Sequence, residues 1–158
     1  MKIAKEVAEK YPRLELYTTS FFKKSKDDPV SWDDPIANTL SLVGAGPNKL
    51  TWEFVVEQPH CNLLGRVHGG CVATLIDICS SFAIMVNSGR HQWEMLGVSS
   101  DLSVTYMSGA AVGQVLRIEC ETQRVGKNLA NIHTKIYDQQ NRVCYSGSHT
   151  KFNIVPRL

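Results

Sequence analysis

The segment Asn62–Ser81, NLLGRVHGGCVATLIDICSS, constrains the fold more than any other part of the chain. Apolar residues cover most faces of a helix drawn from about His68 to Val86. A helix that is apolar on most sides is usually buried in a protein core. It carries one carboxylate, Asp77, whose burial is costly unless the group has partners or chemistry to perform. The segment therefore predicts a central helix that bears a functional acid.

A narrow polar stripe runs along this helix. At ~100° per residue, its members fall on one face: Gly70, Thr74, Asp77 and Ser81. Such a stripe indicates a buried seam, either a cleft or a subunit interface. For Thr74 and Ser81 we favour the simpler interpretation that each hydroxyl bonds to the preceding turn. For Asp77 we favour a functional role, because a lone buried acid in the middle of a helix is uncommon.

The glycine pair Gly69-Gly70 at the helix start leaves backbone N–H groups open to close approach by a ligand. At a rise of ~1.5 Å per residue, Gly69 and Asp77 of one helix lie ~12 Å apart. A carbonyl group held at Gly69 cannot also contact that same Asp77. If both groups act on one acyl group, Asp77 must come from a second, antiparallel copy of the helix. The spacing predicts a homodimer with two shared sites.

Strand patterns lie on both sides of the helix. The predicted strands are Asn38–Val43, Lys49–Glu57, Leu96–Met107, Val115–Val125, Asn128–Asp138 and Arg142–Ile154, with a glycine turn at residues 44–48. The breaks between the last four strands are short, which predicts an antiparallel meander. One long helix with five or six antiparallel strands predicts an α+β fold in which the sheet wraps around the helix.

The first 36 residues lack a clear strand pattern. The sequence pattern of residues 1–11 predicts a short charged helix that stops at Pro12. For residues 13–36 we predict a loop or an arm that packs through the side chains of Phe21, Phe22 and Trp32. We therefore divide the chain into an N-terminal helix and arm, 1–36, and a main domain, 37–158.

Composition excludes several classes of function. The 158 residues, 43% of them hydrophobic and 20% charged, suit one globular domain. A formal net charge of +2 is too small to indicate nucleic-acid binding, although a mildly basic surface accommodates an anionic ligand. Five cysteines without Cys-x-x-Cys spacing favour reduced structural thiols over a disulfide framework or a zinc site.

The same features indicate a compartment. No apolar run reaches the ~20 residues that cross a bilayer, so we expect no membrane insertion. The N-terminal residues lack the apolar block of a secretory signal. Together with reduced thiols, this favours the cytoplasm, with mitochondria as the alternative.

Taken together, these residues resemble the hotdog-fold acyl-coenzyme A (CoA) thioesterases, and among them the PaaI-like group. The resemblance extends from about residue 51 to residue 151. It rests on HCNLLGRVHGGCVATLID, GVSSDLSVTYMS, the turn VGKNLA and the closing SHTK. It implies hydrolysis of acyl-CoA to a free acid and CoA, with a place in lipid metabolism. CoA enters as part of the substrate, and the resemblance implies neither another cofactor nor a metal.

The resemblance also implies roles for five residues. The backbone amide of Gly69 polarises the thioester carbonyl, and Asp77 acts as general base or nucleophile. Asn62 orients water or the thioester, His68 supports the loop, and Ser99 positions the attacking water. The side chains expected to line an acyl tunnel are Phe82, Met85, Val98, Tyr106 and Met107.

CoA carries several phosphate charges, which cations or amides must meet. By resemblance, they lie near a strand-to-strand turn and near the last strand. The predicted CoA-binding residues are Gly70, Arg124, Gly126, Lys127, Asn128, His149 and Lys151. For the turn, a solvated hairpin tip is the competing interpretation.

Two other functions compete with thioester hydrolysis. Hotdog dehydratases need a His–Asp or His–Glu pair and a motif bearing proline and glycine, and that motif is missing here. A non-catalytic acyl-CoA-binding or regulatory protein is the other alternative, which an unusable Asp77 would favour. For assembly, the resemblance implies a homodimer as the catalytic unit and a dimer of dimers, hence a homotetramer.

Overall fold

A seven-stranded sheet is wrapped around one long helix in the computed structural model, which describes residues 1–22 and 29–154. The strands are β1 (Lys2–Ile3), β2 (Leu40–Gly46), β3 (Lys49–Val55), β4 (Val98–Tyr106), β5 (Val115–Val125), β6 (Leu129–Tyr137) and β7 (Val143–Phe152). The helices are α1 (Lys5–Lys10), α2 (Pro12–Phe22), α3 (Asp34–Ala37) and α4 (Gly69–Ala83), with short 3₁₀ turns at Gln58–His60 and Ile84–Val86. This confirms the predicted α+β architecture.

Helix α4 is held in the core by its apolar side chains. Leu75, Ile76 and Cys79 are fully buried, and the Phe82 ring packs edge-on against Trp52 of β3 at a centroid distance of 5.7 Å. Gly147 of β7 allows this close approach, because a Cβ there would lie 3.0 Å from Ile76. By length and hydropathy alone the segment Gly69–Val86 would suffice to span a membrane, but most of it is buried inside the protein. It is the core helix that the sequence predicts.

Strand pairing confirms part of the predicted meander and corrects the rest. The sheet order is β1-β2-β3-β5-β6-β7-β4, and every pair except β1–β2 is antiparallel. Strands β5, β6 and β7 form the meander. Strand β4 pairs with β7 rather than with β5, because β3 pairs with β5 from Val115 to Glu121. The crossover places Ser99 opposite Lys151 and leaves β4 at one edge of the sheet.

Two predictions, for the glycine turn at residues 44–48 and for the arm at residues 13–36, need correction. Gly44 and Gly46 belong to β2, and the turn consists of Pro47 and Asn48, the latter with a left-handed φ of 61°. The short charged helix predicted to stop at Pro12 is α1, which ends at Lys10, but Pro12 itself begins α2, at the first helical position where its missing N–H costs nothing. The arm predicted over residues 13–36 is therefore partly helical.

The N-terminal residues share the main hydrophobic core. Val7 and Leu14 belong to the buried cluster, and Arg13 donates a hydrogen bond to the carbonyl oxygen of Trp93 at 3.0 Å. Trp32, predicted to pack the arm, is 76% exposed. The predicted packing of the Phe21 and Phe22 side chains lies outside the described residues, as do residues 23–28 of the predicted loop or arm. The division of the chain at residue 36 stays a prediction.

All five cysteines are unpaired thiols, as predicted. Four of them are buried: Cys71, Cys79, Cys120 and Cys144. Burial raises the pKa of Cys71 and of Cys120 to about 12, so these thiols stay protonated and behave as small apolar side chains.

Candidate active site

The start of helix α4 presents one open backbone amide. His68 is the N-cap, and its Nδ1 accepts a hydrogen bond from the N–H of Gly70 at 2.9 Å. The N–H of Gly69 makes no hydrogen bond with any residue that the structure describes. Because the N-terminus of a helix carries partial positive charge, Gly69 is a suitable donor to a carbonyl oxygen or an oxyanion. Gly70 is not a suitable donor, since its N–H already donates to His68.

Tyr106, predicted only as a tunnel wall, fixes the position of this amide. Its hydroxyl donates to the carbonyl oxygen of Gly69 at 3.0 Å. A Cβ at Gly69 would lie 3.4 Å from the Tyr106 ring, so the glycine lets β4 and α4 approach closely. No sequence signal links Tyr106 to Gly69, because the contact depends on where the edge strand lies.

The loop before the helix turns the amide of Asn62 so that its nitrogen is available. The Asn62 Oδ1 accepts hydrogen bonds from the backbone N–H groups of Leu64 and Arg66, at 2.9 and 3.2 Å. Gly65, with φ of 69°, makes the tight turn between them. The Nδ2 group of Asn62 has no partner among the described residues. Asn62 can therefore donate a hydrogen bond to a ligand.

Asp77 lies on the open side of α4. Its side chain is 47% exposed in the single chain, which corrects the expectation of a buried acid. The sheet covers the apolar faces of the helix but not the polar stripe. Asp77 Oδ1 accepts a hydrogen bond from the Ser99 hydroxyl at 3.2 Å, whereas Oδ2 has no partner among the described residues. One carboxylate oxygen is positioned and the other is free to react.

Behind Ser99, a chain of hydrogen bonds reaches back to α4. His149 Nε2 lies 2.9 Å from the Ser99 Oγ, and His149 Nδ1 lies 2.6 Å from the Ser80 Oγ. Since the single hydroxyl proton of Ser99 goes to Asp77, His149 must donate from Nε2, and a neutral ring then accepts at Nδ1 from Ser80. The chain therefore runs from Ser80 through His149 and Ser99 to Asp77, with a neutral imidazole.

The surroundings keep this imidazole neutral. The His149 side chain is fully buried. Burial, together with the charge of Lys151, lowers the pKa of His149 to about 4, although the charges of Asp77 and Asp101 oppose the shift. His149 was predicted from sequence to bind CoA, so its connection to Asp77 was missed.

Lys151 is also buried, with 4% exposure, and also lies beside Asp77. Its Nζ donates to the Ser81 Oγ at 2.6 Å, and Ser81 donates to the backbone oxygen of Asp77 at 2.6 Å. Burial lowers the pKa of Lys151, and the charge of Asp77 raises it. The structure therefore places Lys151 on the last strand, as predicted, with its side chain next to Asp77 and not towards the exposed turn.

The other hydroxyl on the stripe behaves as the simpler interpretation predicts. Thr74 Oγ1 donates to the carbonyl oxygen of Gly70 at 2.9 Å, as Ser81 does to Asp77. Thr74 Oγ1 also accepts a hydrogen bond from the indole Nε1 of Trp32 at 3.0 Å. Trp32 thus lies over the polar stripe, between the helix start and Asp77.

The residues of the predicted CoA turn line one open cavity with a volume of about 550 Å³. Its lining includes all four turn residues predicted to bind CoA, namely Arg124, Gly126, Lys127 and Asn128, together with Thr150. Because side chains alternate along β7, Thr150 faces this cavity while His149 and Lys151 face α4. The turn can meet anionic groups through two exposed cations.

Comparison with known proteins identifies the family of the chain. Residues 64–145 match the family model described as the thioesterase superfamily. Acyl-coenzyme A thioesterase 13 of Mus musculus is 36% identical over 119 residues, which cover 75% of this chain and 82% of that protein. The crystal structure of thioesterase superfamily member 2 from Mus musculus has a TM-score of 0.74 and 31% identity, covering 90% of this chain and 96% of the other.

Two more distant structures show the same fold. The PaaI protein of E. coli has a TM-score of 0.70 at 13% identity, covering 95% of this chain and all of its own. A hypothetical thioesterase from Streptococcus pneumoniae, solved with CoA, has a TM-score of 0.67 at 21% identity, covering 77% of this chain and 90% of its own. The chain therefore belongs to the thioesterase superfamily, and its sheet and central helix form the hotdog fold.

Proposed function

We propose that the protein hydrolyses the thioester bond of acyl-CoA, giving a free acid and CoA, at two sites shared by the protomers of a homodimer. The observation that carries this proposal is the state of two groups on α4. The Gly69 amide and one oxygen of Asp77 are both without partners among the described residues, yet they lie ~12 Å apart along the helix. Each is half of a thioesterase site.

The helix start would hold the carbonyl group. The Gly69 N–H and the Asn62 Nδ2 group donate to the thioester oxygen, which gains negative charge as the carbonyl carbon is attacked. The partial positive charge of the helix N-terminus stabilises that oxyanion. Gly70 contributes by donating its N–H to Nδ1 of the N-cap His68, which keeps the first turn in place.

Asp77 of the partner protomer would drive the attack. Ser99 holds Oδ1, so that Oδ2 faces the carbonyl carbon. As general base, Oδ2 takes a proton from water while the water oxygen bonds to the carbonyl carbon. As nucleophile, it forms an anhydride that water then opens. In both routes the carbon–sulfur bond breaks and the CoA thiolate leaves, and the free oxygen of Asp77 supports either one over a non-catalytic binding role.

Antiparallel pairing of two α4 helices would bring these halves together. In the single chain Trp32 lies over part of the polar stripe, but Asp77 is half exposed. Strand β4 lies at the edge of the sheet, with exposed apolar side chains at Val98, at Tyr106 and at Met107, which follows the strand. A second copy that covers this face accounts for both features. The association of two such dimers into a tetramer is an additional part of the proposal.

The CoA moiety would extend to the Arg124–Asn128 turn. The name of the mouse relative specifies an acyl-CoA substrate, and the Streptococcus pneumoniae protein of the same fold was solved with CoA. Arg124 and Lys127 supply the cations that phosphate groups require.

Removal of the Asp77 carboxylate tests the reaction. In Asp77→Asn we expect kcat on a panel of acyl-CoAs to fall by about 10²–10⁴-fold, because the general base or nucleophile is lost. Asp101→Asn removes an exposed carboxylate from the same strand as Ser99 and is the matched control. Full activity in Asp77→Asn would contradict the proposed role, and a wild-type protein that cleaves no acyl-CoA would refute the proposed function.

Subunit mixing tests the shared site. Asp77→Asn and Asn62→Ala chains, unfolded together and refolded at equal amounts, form heterodimers in which one site has both wild-type groups. We expect about a quarter of wild-type activity, because half of the dimers are mixed and each has one intact site of two. Each variant refolded alone gives the baseline. If Asp77 and Asn62 served a site within one chain, mixing would restore nothing.

Truncated substrates test the CoA turn. Arg124→Gln and Lys127→Gln should each raise KM for acyl-CoA about fivefold, because one charged contact to phosphate is lost. The N-acetylcysteamine thioester of the same acid, which lacks phosphates, should be hydrolysed by these variants as by wild type. Lys135→Gln, which removes an exposed cation elsewhere on β6, is the control. Equal losses on both substrates would show that the turn does not bind phosphate.

The buried imidazole of His149 predicts a specific pH dependence of stability. Its pKa is about 4 in the folded protein against 6.5 when unfolded, so the unfolded chain binds the proton more readily between these values. The stabilisation, about 3 kcal/mol, is complete above pH 6.5 and is lost as the pH falls towards 4. Urea unfolding at fixed protein concentration should show this loss in wild type and in His133→Asn. In His149→Asn the free energy of unfolding should vary less over the same range, and an unchanged profile would contradict the assignment.

A further inference from the structure

A second cavity opens beside the start of α4, next to the N-cap His68. Its volume is about 380 Å³. One wall consists of Trp32, Pro35 and Ile36 from the N-terminal segment, and the opposite wall includes His68 and Cys71 of the helix start. These walls are mostly apolar, and the volume lies in the range of small-molecule sites, roughly 300–1,000 Å³.

Hydrogen bonds fix this cavity to the helix start. His60, buried on its floor, lies with Nε2 2.9 Å from the carbonyl oxygen of Pro35. The backbone oxygen of His60 accepts from the N–H of His68 at 2.8 Å. The wall from the N-terminal segment, the floor and the N-cap therefore form one connected unit, next to the open Gly69 amide.

A thioester carbonyl carries two substituents, the acyl group (the acyl arm) and the sulfur-linked CoA (the sulfur arm), and a separate cavity is available for each. A third cavity, of about 400 Å³, is lined by Asp77, Phe82, Leu96 and Gly97. It neighbours the CoA turn, since Trp93, close to Leu96 in the chain, donates to the carbonyl oxygen of Gly126 at 2.8 Å. In the proposed dimer, the protomer that supplies Asp77 also supplies this cavity and its CoA turn, so the sulfur arm, which leads to the CoA phosphates, belongs on that protomer. This leaves the apolar cavity at the helix start for the acyl arm.

We propose that the cavity between the segment 31–36 and the start of α4 receives an apolar acyl group, and that Trp32 is the residue that determines acyl preference. The proposal rests on the thioester hydrolysis proposed above and adds the class of acyl group. Acyl groups with apolar chains of several carbons are preferred over acetyl, because each methylene placed against this wall leaves water.

Trp32 has the geometry for this role. Of the three tryptophans, Trp52 and Trp93 are 0% and 2% exposed, whereas Trp32 is 76% exposed. Its indole is nevertheless oriented by the hydrogen bond to Thr74, one turn from Gly70. A large aromatic side chain held at the mouth of a cavity, with most of its surface uncovered, provides contact area for an apolar ligand.

Quenching of tryptophan fluorescence tests the contact without requiring turnover. Because Trp52 and Trp93 are buried, acrylamide should quench mainly Trp32, and Trp32→Phe should remove most of the accessible signal. A non-hydrolysable octanoyl-CoA analogue should protect Trp32, whereas CoA alone should not. Equal protection by CoA alone would overturn the proposal. So would a Trp32 already shielded in the ligand-free protein, since the ring would then belong to a subunit interface.

Kinetics test the specificity. In Trp32→Ala we expect the ratio of kcat/KM for octanoyl-CoA to that for acetyl-CoA to fall about tenfold, because apolar contact to the longer chain is lost. Trp32→Phe keeps an aromatic ring and should keep most of the ratio. Val30→Ala, which trims a residue 89% exposed in the same segment, is the control.

Equal losses on both substrates in Trp32→Ala would assign the residue to folding or assembly and overturn the proposal. If wild type cleaved neither substrate, the proposed hydrolysis would fail. The fluorescence experiment would still decide whether the cavity binds an acyl group, so the two failures are distinguishable.

Discussion

The position of the Asp77 carboxylate depends on a hydrogen-bond chain that joins three elements of the fold. Ser80 and Asp77 belong to α4, Ser99 belongs to β4, and His149 belongs to β7. Each hydroxyl has one proton to donate, so the direction of every bond follows from the last one. The chain exists only because β4 crosses over to pair with β7, which makes the order of the strands a requirement of the site.

Charge is distributed along α4 so that one helix cannot complete a site alone. The positive end of the helix dipole and the open Gly69 amide lie at one end, and Asp77 lies about two turns away with the buried Lys151 beside it. A buried ammonium group is costly unless an opposite charge is near, and Asp77 supplies that charge. The carboxylate thus stabilises its own surroundings while its free oxygen faces outward. In the proposed dimer, a second antiparallel helix would bring to it the donor that its own helix keeps ~12 Å distant.

Local patterns in the sequence predicted the bounds of the helices and strands better than they predicted which strands pair. The bounds of β5 were predicted without error, and the other main elements lie within three residues of prediction, since alternation and helical periodicity are local signals. The pairing of β4 with β7 was missed because short connections favour a meander. The pairing of β3 with β5, which prevents that arrangement, is a non-local contact. The roles of His149 and Tyr106 depend on the pairing of β4 with β7, so the sequence could not reveal them. Asp77 was expected to be buried, since an apolar helix does not show which of its faces the sheet leaves uncovered.

No hydrogen bond among the described residues joins the segment that carries Trp32 directly to the Asp77 side chain. The chain from Ser80 to Asp77 includes no hydrogen bond from the described residues of the segment 29–37, whereas the cavity wall that carries Trp32 belongs to that segment. The segment contacts the helix through Thr74 and the loop through His60, and neither residue bonds to the Asp77 side chain. Irregular surface segments tolerate substitution better than sheet and core positions do. A change at Trp32 can therefore alter the acyl cavity while the carboxylate keeps its position, which is the physical condition for changing substrate preference without losing the reaction.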